Sequence, residues 1–169
     1  ERALRAVDFA GVCIRERVAG VFFQPLQFIR DGEKVNRDIL TFFKNANIPV
    51  VLLDSDFVAP PNRSEYDLVG VDNTGIGYTL AKHVIAAGAK RIMYFSNPLP
   101  APTSLKRGTG VGLAVTEAGL PWNRSNVHFA DPTDTRAAAR VFAGRNRPDA
   151  IIPVTDFGAP QLLSTLPSS

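Results

Sequence analysis

The sequence predicts an α/β protein built from two doubly wound lobes, each a parallel sheet with helices on both faces, with a cleft between the lobes. Short all-apolar segments alternate with longer stretches in which apolar residues recur every three or four positions. Strands with one exposed face alternate apolar and polar residues, and these segments do not, so we expect strands that are buried on both faces. Such strands are parallel and need crossover connections, which the intervening helices supply. One proline-rich stretch, at 97–102, interrupts this alternation and predicts the passage between lobes.

The first two helix–strand pairs precede residue 54. Apolar residues at helical spacing predict a helix over about 2–17, and the continuous apolar segment 18–23 predicts a buried strand that Pro25 ends. By the same reasoning we expect a helix over 35–46 and a strand over 48–53. Because the chain lacks an initiator Met and begins inside a predicted helix, we interpret it as part of a longer protein.

A third pair follows an exposed loop at 55–65. A short strand is predicted over 68–71, and Asp72 then offers a capping oxygen to the next helix. Gly88 is suited to end that helix, since glycine readily adopts the left-handed conformation of a helix C-terminus. The apolar strand 91–95 comes next.

The same alternation resumes after the prolines. We predict a helix over about 104–118, a strand over 127–130, a helix over 133–143, a strand over 150–154 and a helix that begins near Phe157. The sequence therefore divides into an N-terminal lobe at 1–97, a crossover at 98–102 and part of a C-terminal lobe at 103–169. In such folds ligands bind in the cleft, at the carboxyl ends of the strands.

The composition is that of an ordinary globular domain, with 45% hydrophobic and 21% charged residues. The net charge of +3 is scattered along the chain, so DNA contact by this part of the protein is not expected. No apolar run is long enough to span a membrane, and the first residues do not resemble a secretory signal. The single cysteine, Cys13, lies in an apolar helical pattern that indicates a buried side chain, and its lack of a disulfide partner is compatible with a reducing compartment.

Several short patterns suggest an enzyme but lack the necessary context. The segment 108–112 resembles a dinucleotide-binding loop, but the third glycine position is Leu113 and no strand precedes it. The triplet 156–158 matches the kinase D-F-G, without the other kinase motifs. The two histidines, His83 and His128, fall in a predicted helix and a predicted strand far apart in sequence. We therefore predict no catalytic residue, no metal site and no cofactor.

Five segments in a constant order carry a resemblance that covers nearly the whole chain. They are VAGVFFQP at 18–25, IPVVLLD at 48–54, the VDN…G…A-x-HVI…G…RI pattern at 71–92, L-x-R-x-x-G-V-x-x-A at 105–114 and PDAI…TD-x-x-A at 148–159. This series resembles the effector-binding domain of the lac-repressor/gal-repressor (LacI/GalR) family of transcriptional regulators. The resemblance implies a periplasmic-binding-protein-like fold. The sequence departs from the family at Val111, which replaces an aromatic residue, and at Thr155, which replaces an asparagine.

Five polar residues are candidates for the ligand site. Arg107 follows the proline-rich stretch in what is predicted to be the first turn of a helix, and its planar fork either faces the cleft or lies at the surface. Asp72, at the end of a strand, either accepts hydrogen bonds from ligand hydroxyls or only caps the next helix. Of Thr155 and Asp156, one is expected to face the pocket and the other to cap the final helix. Gln24, directly after the predicted strand at 18–23, is a further candidate.

The resemblance assigns roles to three of these positions. In the family, the ligand is held by the arginine of the R-x-x-G helix, the aspartate of VDN and the residue before the aspartate of ND. These positions correspond to Arg107, Asp72 and Thr155 in this sequence. The resemblance implies a homodimeric cytoplasmic regulator that senses a small polar effector, expected to be a sugar, by lobe closure. Operator DNA would be contacted by a helix-turn-helix domain that is not in this chain, and the first strand and the rest of the second lobe would also lie outside it.

Two other functions are consistent with parts of the pattern. A periplasmic sugar receptor of a transporter would share the two lobes and much of the arginine and aspartate pattern, although GAKRI at 88–92 resembles the GH-R-R-I of the regulators. An NAD-dependent oxidoreductase would require a complete glycine fingerprint, which the sequence lacks. The sequence leaves open which sugar, nucleobase or amino acid is bound.

Overall fold

The structure, a computed structural model, describes residues 2–27, 29–59, 61–134, 136, 141–142 and 147–164. The chain divides into two compact units, Glu1–Val71 and Asp72–Ser169, here called the first and second unit. No helix in the described part of the chain is both long enough and apolar enough to cross a membrane.

The first unit is a three-stranded parallel sheet with two helices. Its elements are α1 (Arg2–Arg15), β1 (Val21–Phe23), α2 (Gly32–Asn45), β2 (Val50–Leu53) and β3 (Asp67–Val69). The strands lie in the order β1-β2-β3. Each element falls where the apolar pattern predicts it, with bounds that differ by a few residues.

One face of this sheet packs against α1 and α2. The buried apolar side chains of the two clusters on this face are Ala10, Cys13, Ile39, Leu40, Phe43, Ile48, Leu52 and Phe57. The predicted burial of Cys13 is therefore confirmed. Phe22 and Val69 point to the opposite face and are 72% and 60% exposed. Within the described residues of the first unit, helices thus cover one face of the sheet rather than the predicted two.

The second unit is also a parallel sheet with helices. Its elements are α3 (Asn73–Ala86), β4 (Ile92–Ser96), α4 (Pro102–Glu117), β5 (Val127–Phe129), β6 (Ala150–Pro153) and α5 (Gly158–Ser164). The strand order is β5-β4-β6. The predicted end of α3 at Gly88 is confirmed, because this glycine has a φ of +98° and its N–H donates to the carbonyl of Ile85. The helix predicted at 133–143 lies largely outside the described residues.

Helices α3 and α4 cross in direct backbone contact. A β-carbon at Gly77 would overlap the carbonyl oxygen of Arg107, and one at Gly110 would overlap the carbonyl oxygen of Thr74. The two glycines therefore allow an approach that any larger side chain would prevent. The buried core of the second unit is formed by Ala81, Ile92, Tyr94, Val111, Ala114, Val115, Ile152 and Val154.

The boundary between the units corrects the predicted lobe division. The sequence placed β4 in the N-terminal lobe and the crossover at 98–102, but β4 lies between β5 and β6, where Tyr94 pairs with Val127 and Ile152. Backbone hydrogen bonds to both neighbours fix β4 in the second unit, and the chain divides after Val71. The proline-rich stretch instead leads into α4, where Pro102 occupies a first-turn position that needs no N–H donor.

Candidate functional site

Arg107 lies at the carboxyl end of β6 and is held there by two acceptors. Its Nε donates to Oδ1 of Asn73 at 2.8 Å, and its Nη1 donates to the carbonyl oxygen of Val154 at 2.7 Å. These bonds join α4 to the first residue of α3 and to the end of β6. The side chain is half-buried, so it is not the freely solvated arginine of the alternative interpretation.

The position of Arg107 in α4 differs from the prediction. The helix begins at Pro102 rather than near residue 104, so Arg107 lies in the second turn. A cation in the first turn of a helix is opposed by the helix dipole, and Arg107 lies beyond that turn. The guanidinium is oriented by its hydrogen-bond acceptors instead.

Tyr94, in β4, forms a hydrogen bond to the first turn of α4. Its hydroxyl donates to the carbonyl oxygen of Ser104 at 2.7 Å, and the side chain is 2% exposed. Burial raises the pKa of Tyr94 to about 12, although the nearby positive charge of Arg107 acts to lower it. The phenol therefore stays protonated near neutral pH and can continue to donate this hydrogen bond.

A cavity of about 440 Å³ lies beside Arg107. Arg107, Thr155 and Asp156 line it together, so the structure brings three of the five predicted site residues to one place. The remaining lining residues come from α3, from β6 and from the position directly after β6, and are Ile76, Leu80, His83, Val84, Ile151, Ile152, Pro153 and Val154. A mostly apolar wall with a few polar groups and a volume of this order is typical of small-molecule sites.

Thr155 and Asp156 differ in what they contact. Oδ1 of Asp156 accepts a hydrogen bond from the N–H of Phe157 at 2.9 Å, and the carbonyl of Asp156 accepts from the N–H of Ala159. The Asp156 side chain thus bonds the residue that precedes α5 (Gly158–Ser164), and its capping of that helix stays a prediction. Thr155 is exposed and lines the same cavity with its neighbour.

Residues 32–160 match the family described as periplasmic binding proteins and the sugar-binding domain of the LacI family. The chain belongs to this family. The HTH-type transcriptional regulator AglR of Rhizobium meliloti (strain 1021) is 31% identical over 101 residues, which are 60% of this chain and 28% of AglR. The resemblance of the sequence motifs to LacI-type regulators is therefore confirmed.

Solved structures of LacI-type regulators share the fold. The transcription regulator CcpA of Lactococcus lactis superposes with a TM-score of 0.71 at 22% identity, over 96% of this chain and 56% of that chain. The transcriptional regulator CelR in complex with cellobiose gives a TM-score of 0.71 at 22% identity, over 96% of this chain and 48% of that chain. The chain thus spans about half the length of these LacI-type relatives, which confirms the predicted fold class for a partial domain.

The aspartate of the LacI-type VDN motif caps a helix. Oδ1 of Asp72 accepts a hydrogen bond from the N–H of Gly75 at 2.9 Å, and the residue is exposed at the start of α3. The capping role predicted for it is therefore confirmed. Gln24 lies in the first unit, exposed immediately after β1, and is not among the residues that line the cavity beside Arg107.

The functional residue that sequence reasoning missed is Asn73, the third residue of the same motif. It is not among the candidate ligand residues predicted from the sequence, whereas its side chain accepts from Arg107 and is 3% exposed. A buried amide must find hydrogen-bond partners, but the sequence cannot say which. Its place at the carboxyl end of a strand was the only available signal.

The described ranges contain no group of three or more histidine, cysteine, aspartate or glutamate residues that could hold a metal ion. His83 lines the cavity, and His128 lies in β5 with its ring 5.4 Å from that of Phe95. The polar groups that this LacI-type chain offers at the cavity are the guanidinium of Arg107, the hydroxyl of Thr155, the carboxylate of Asp156 and the imidazole of His83. Such a set suits a polar organic ligand better than a cation.

Proposed function

We propose that this chain is the effector-sensing part of a DNA-binding transcriptional regulator and that its effector is a sugar, bound without chemical change. The observation that supports this most strongly is the guanidinium of Arg107, oriented by Asn73 and Val154 on the wall of a cavity that Thr155 and Asp156 share.

The chemistry of the cavity matches that of a sugar. A guanidinium donates to paired oxygens, the Thr155 hydroxyl both donates and accepts, and the Asp156 carboxylate accepts from hydroxyls. The apolar side chains of Ile76 and Leu80 offer a surface for the C–H face of a sugar ring. We retain Asp72 and Gln24 as further proposed ligand residues on the basis of the family resemblance.

The known relatives support a regulator rather than a transport receptor. AglR, CcpA and CelR are all named transcriptional regulators, and CelR is a complex with cellobiose. We propose that operator DNA is contacted through a helix-turn-helix domain outside these residues, that the protein is a cytoplasmic homodimer and that it catalyses no reaction. The sugar would need to change operator affinity by only about 1–3 kcal/mol of coupling free energy, provided that it binds two conformations unequally.

Calorimetry of the Arg107→Ala variant tests the proposal. Wild-type protein is first titrated with glucose, maltose and cellobiose, and we expect at least one to bind and to raise the melting temperature. Arg107→Ala should lose that binding. The matched control is Arg91→Ala, since Arg91, like Arg107, donates to a backbone carbonyl, in its case from Nε to Arg147, but does not line this cavity. Unchanged binding by Arg107→Ala would disprove the assignment of the site.

A further inference from the structure

Asn73 and Arg107 form a half-buried pair between residues 34 positions apart in sequence. Asn73 is the first residue of α3, and its amide oxygen occupies the single proton on Nε of Arg107. We propose that Asn73 is a positioning residue for Arg107: it occupies the Nε position, so that an effector meets the guanidinium only through its terminal Nη groups. This proposal rests on the function proposed above.

The hydrogen bonds of Arg107 support the proposal that Nε bonds Asn73 and that the Nη groups are left for the effector. The guanidinium is planar and carries five N–H donors in a fixed fork. Nε donates to Asn73 and Nη1 to the carbonyl oxygen of Val154, and two acceptors on different nitrogens fix the plane of the group. Within the described residues Nη2 makes no hydrogen bond. The Nη2 protons are therefore available to bond a ligand in the cavity that Arg107 lines.

The amide at position 73 has a different effect from a carboxylate. An amide oxygen is neutral, so it accepts the Nε proton and leaves the positive charge of Arg107 uncompensated. A carboxylate would pair with Nε and Nη2 together in the parallel geometry that arginine favours. It would thereby occupy the donors that the ligand needs. Asn73 can orient the cation without competing for it.

The crossing of α3 and α4 brings the two residues within reach. Gly77 lies one turn after Asn73, and Gly110 lies about one turn after Arg107. Because both glycines place the helix backbones in contact, the short side chain of Asn73 reaches Nε at hydrogen-bond distance. The pair is thus supported by the packing of two helices rather than by surface side chains alone.

Variants at position 73 separate positioning from a merely structural role. With cellobiose, maltose and glucose as probes, Asn73→Ala should weaken sugar binding about tenfold, because the guanidinium loses its fixed orientation. Asn73→Asp should also weaken binding, yet raise the melting temperature, since the new carboxylate pairs with Arg107 and lies at a helix N-terminus. A structural role alone would instead make stability and affinity change in the same direction.

The control for lost hydrogen bonding is Asn126→Ala. Asn126 also makes a part-buried side-chain hydrogen bond, to the carbonyl oxygen of Ile92, but it is not among the residues that line the cavity. This variant should lower the melting temperature and leave sugar affinity unchanged. Loss of affinity comparable to that of Asn73→Ala would overturn the proposal.

A second measurement needs no sugar. The ¹⁵Nε–Hε resonance of Arg107, assigned by its absence in Arg107→Ala, should exchange slowly with water in wild-type protein and in Asn126→Ala. In Asn73→Ala it should broaden or disappear. Persistence of a slowly exchanging signal in Asn73→Ala would overturn the positioning role. If Arg107→Ala bound sugar normally, the proposed function would fail, whereas the Nε signal would still decide whether Asn73 holds Arg107.

Discussion

Gly110 in α4 lies against Thr74 in α3, so closely that a β-carbon on Gly110 would overlap the carbonyl oxygen of Thr74. This contact sets the distance between the helix that carries Arg107 and the helix that begins with Asn73. The shape of the candidate site therefore depends on a glycine that does not line it.

Gly110→Ala should destabilise the protein by about 1–3 kcal/mol, because an added methyl group must push two packed helices apart. It should also weaken sugar binding, since the hydrogen bond between Asn73 and Arg107 spans the same two helices. Urea denaturation and calorimetry measure the two effects. The control is Gly11→Ala in α1, where a β-carbon meets only the end of the flexible Arg15 side chain at 3.6 Å. That change should be neutral or stabilising, so equal destabilisation by both would contradict the argument.

Asp72→Ala should cost about 1 kcal/mol of stability, because the N–H of Gly75 loses its capping acceptor. Asp72→Asn should be close to wild type, since an amide oxygen caps a helix about as well as a carboxylate. The difference is measured from the midpoints of urea denaturation. Equal stability of Asp72→Ala and wild type would show that the cap contributes nothing.

Thr155→Val should weaken sugar binding without a large change in stability, because the exposed hydroxyl is replaced by a methyl group of similar size. A reduction of about tenfold is expected if one neutral hydrogen bond is lost. Thr155→Asn, which restores the usual family residue, should change the preference among glucose, maltose and cellobiose, since an amide offers donors in a different geometry. Both effects are measured by calorimetry, and identical affinities in all three proteins would exclude Thr155 from the site.

Asp149→Asn should flatten the dependence of stability on acid pH. Partial burial raises the pKa of the Asp149 carboxyl, but hydrogen bonds from the backbone N–H groups of Arg91 and Lys90, with the charge of Arg91, hold the pKa below its ordinary value. The folded state thus favours the ionised form. Its contribution is complete above the ordinary carboxyl pKa of about 4 and is lost as the pH falls through the lower folded value.

The measurement is the urea midpoint of wild type and Asp149→Asn between pH 2 and 6. The asparagine oxygen can still accept from the two N–H groups but does not titrate. The stability difference between the proteins should therefore be largest above pH 4 and shrink toward pH 2. A difference that stays constant over this range would contradict the role assigned to Asp149.

Much of the fold was predictable because the information was local. The helix from Asn73 to Ala86, its cap at Asp72 and its end at Gly88 follow from residues within one or two turns of each other. Most of the strands were predictable because they are short apolar segments, although β3 includes Asp67 and β5 includes His128. The candidate site was partly predictable for the same reason, since Thr155 and Asp156 follow a strand in a fold whose ligands bind at strand ends, and Arg107 lies near the start of the next helix after β4.

The sequence by itself determined the βα alternation, the family and the polar residues that come together at the cavity. Only the tertiary structure decided that β4 joins β5 and β6, so that the units divide after Val71, and that Asn73 orients Arg107. The physical reason is the separation in sequence between the residues that interact. Apolar periodicity and capping act within a few residues, whereas the two acceptors of Arg107 lie 34 and 47 positions away and reach it only once the helices and strands have packed.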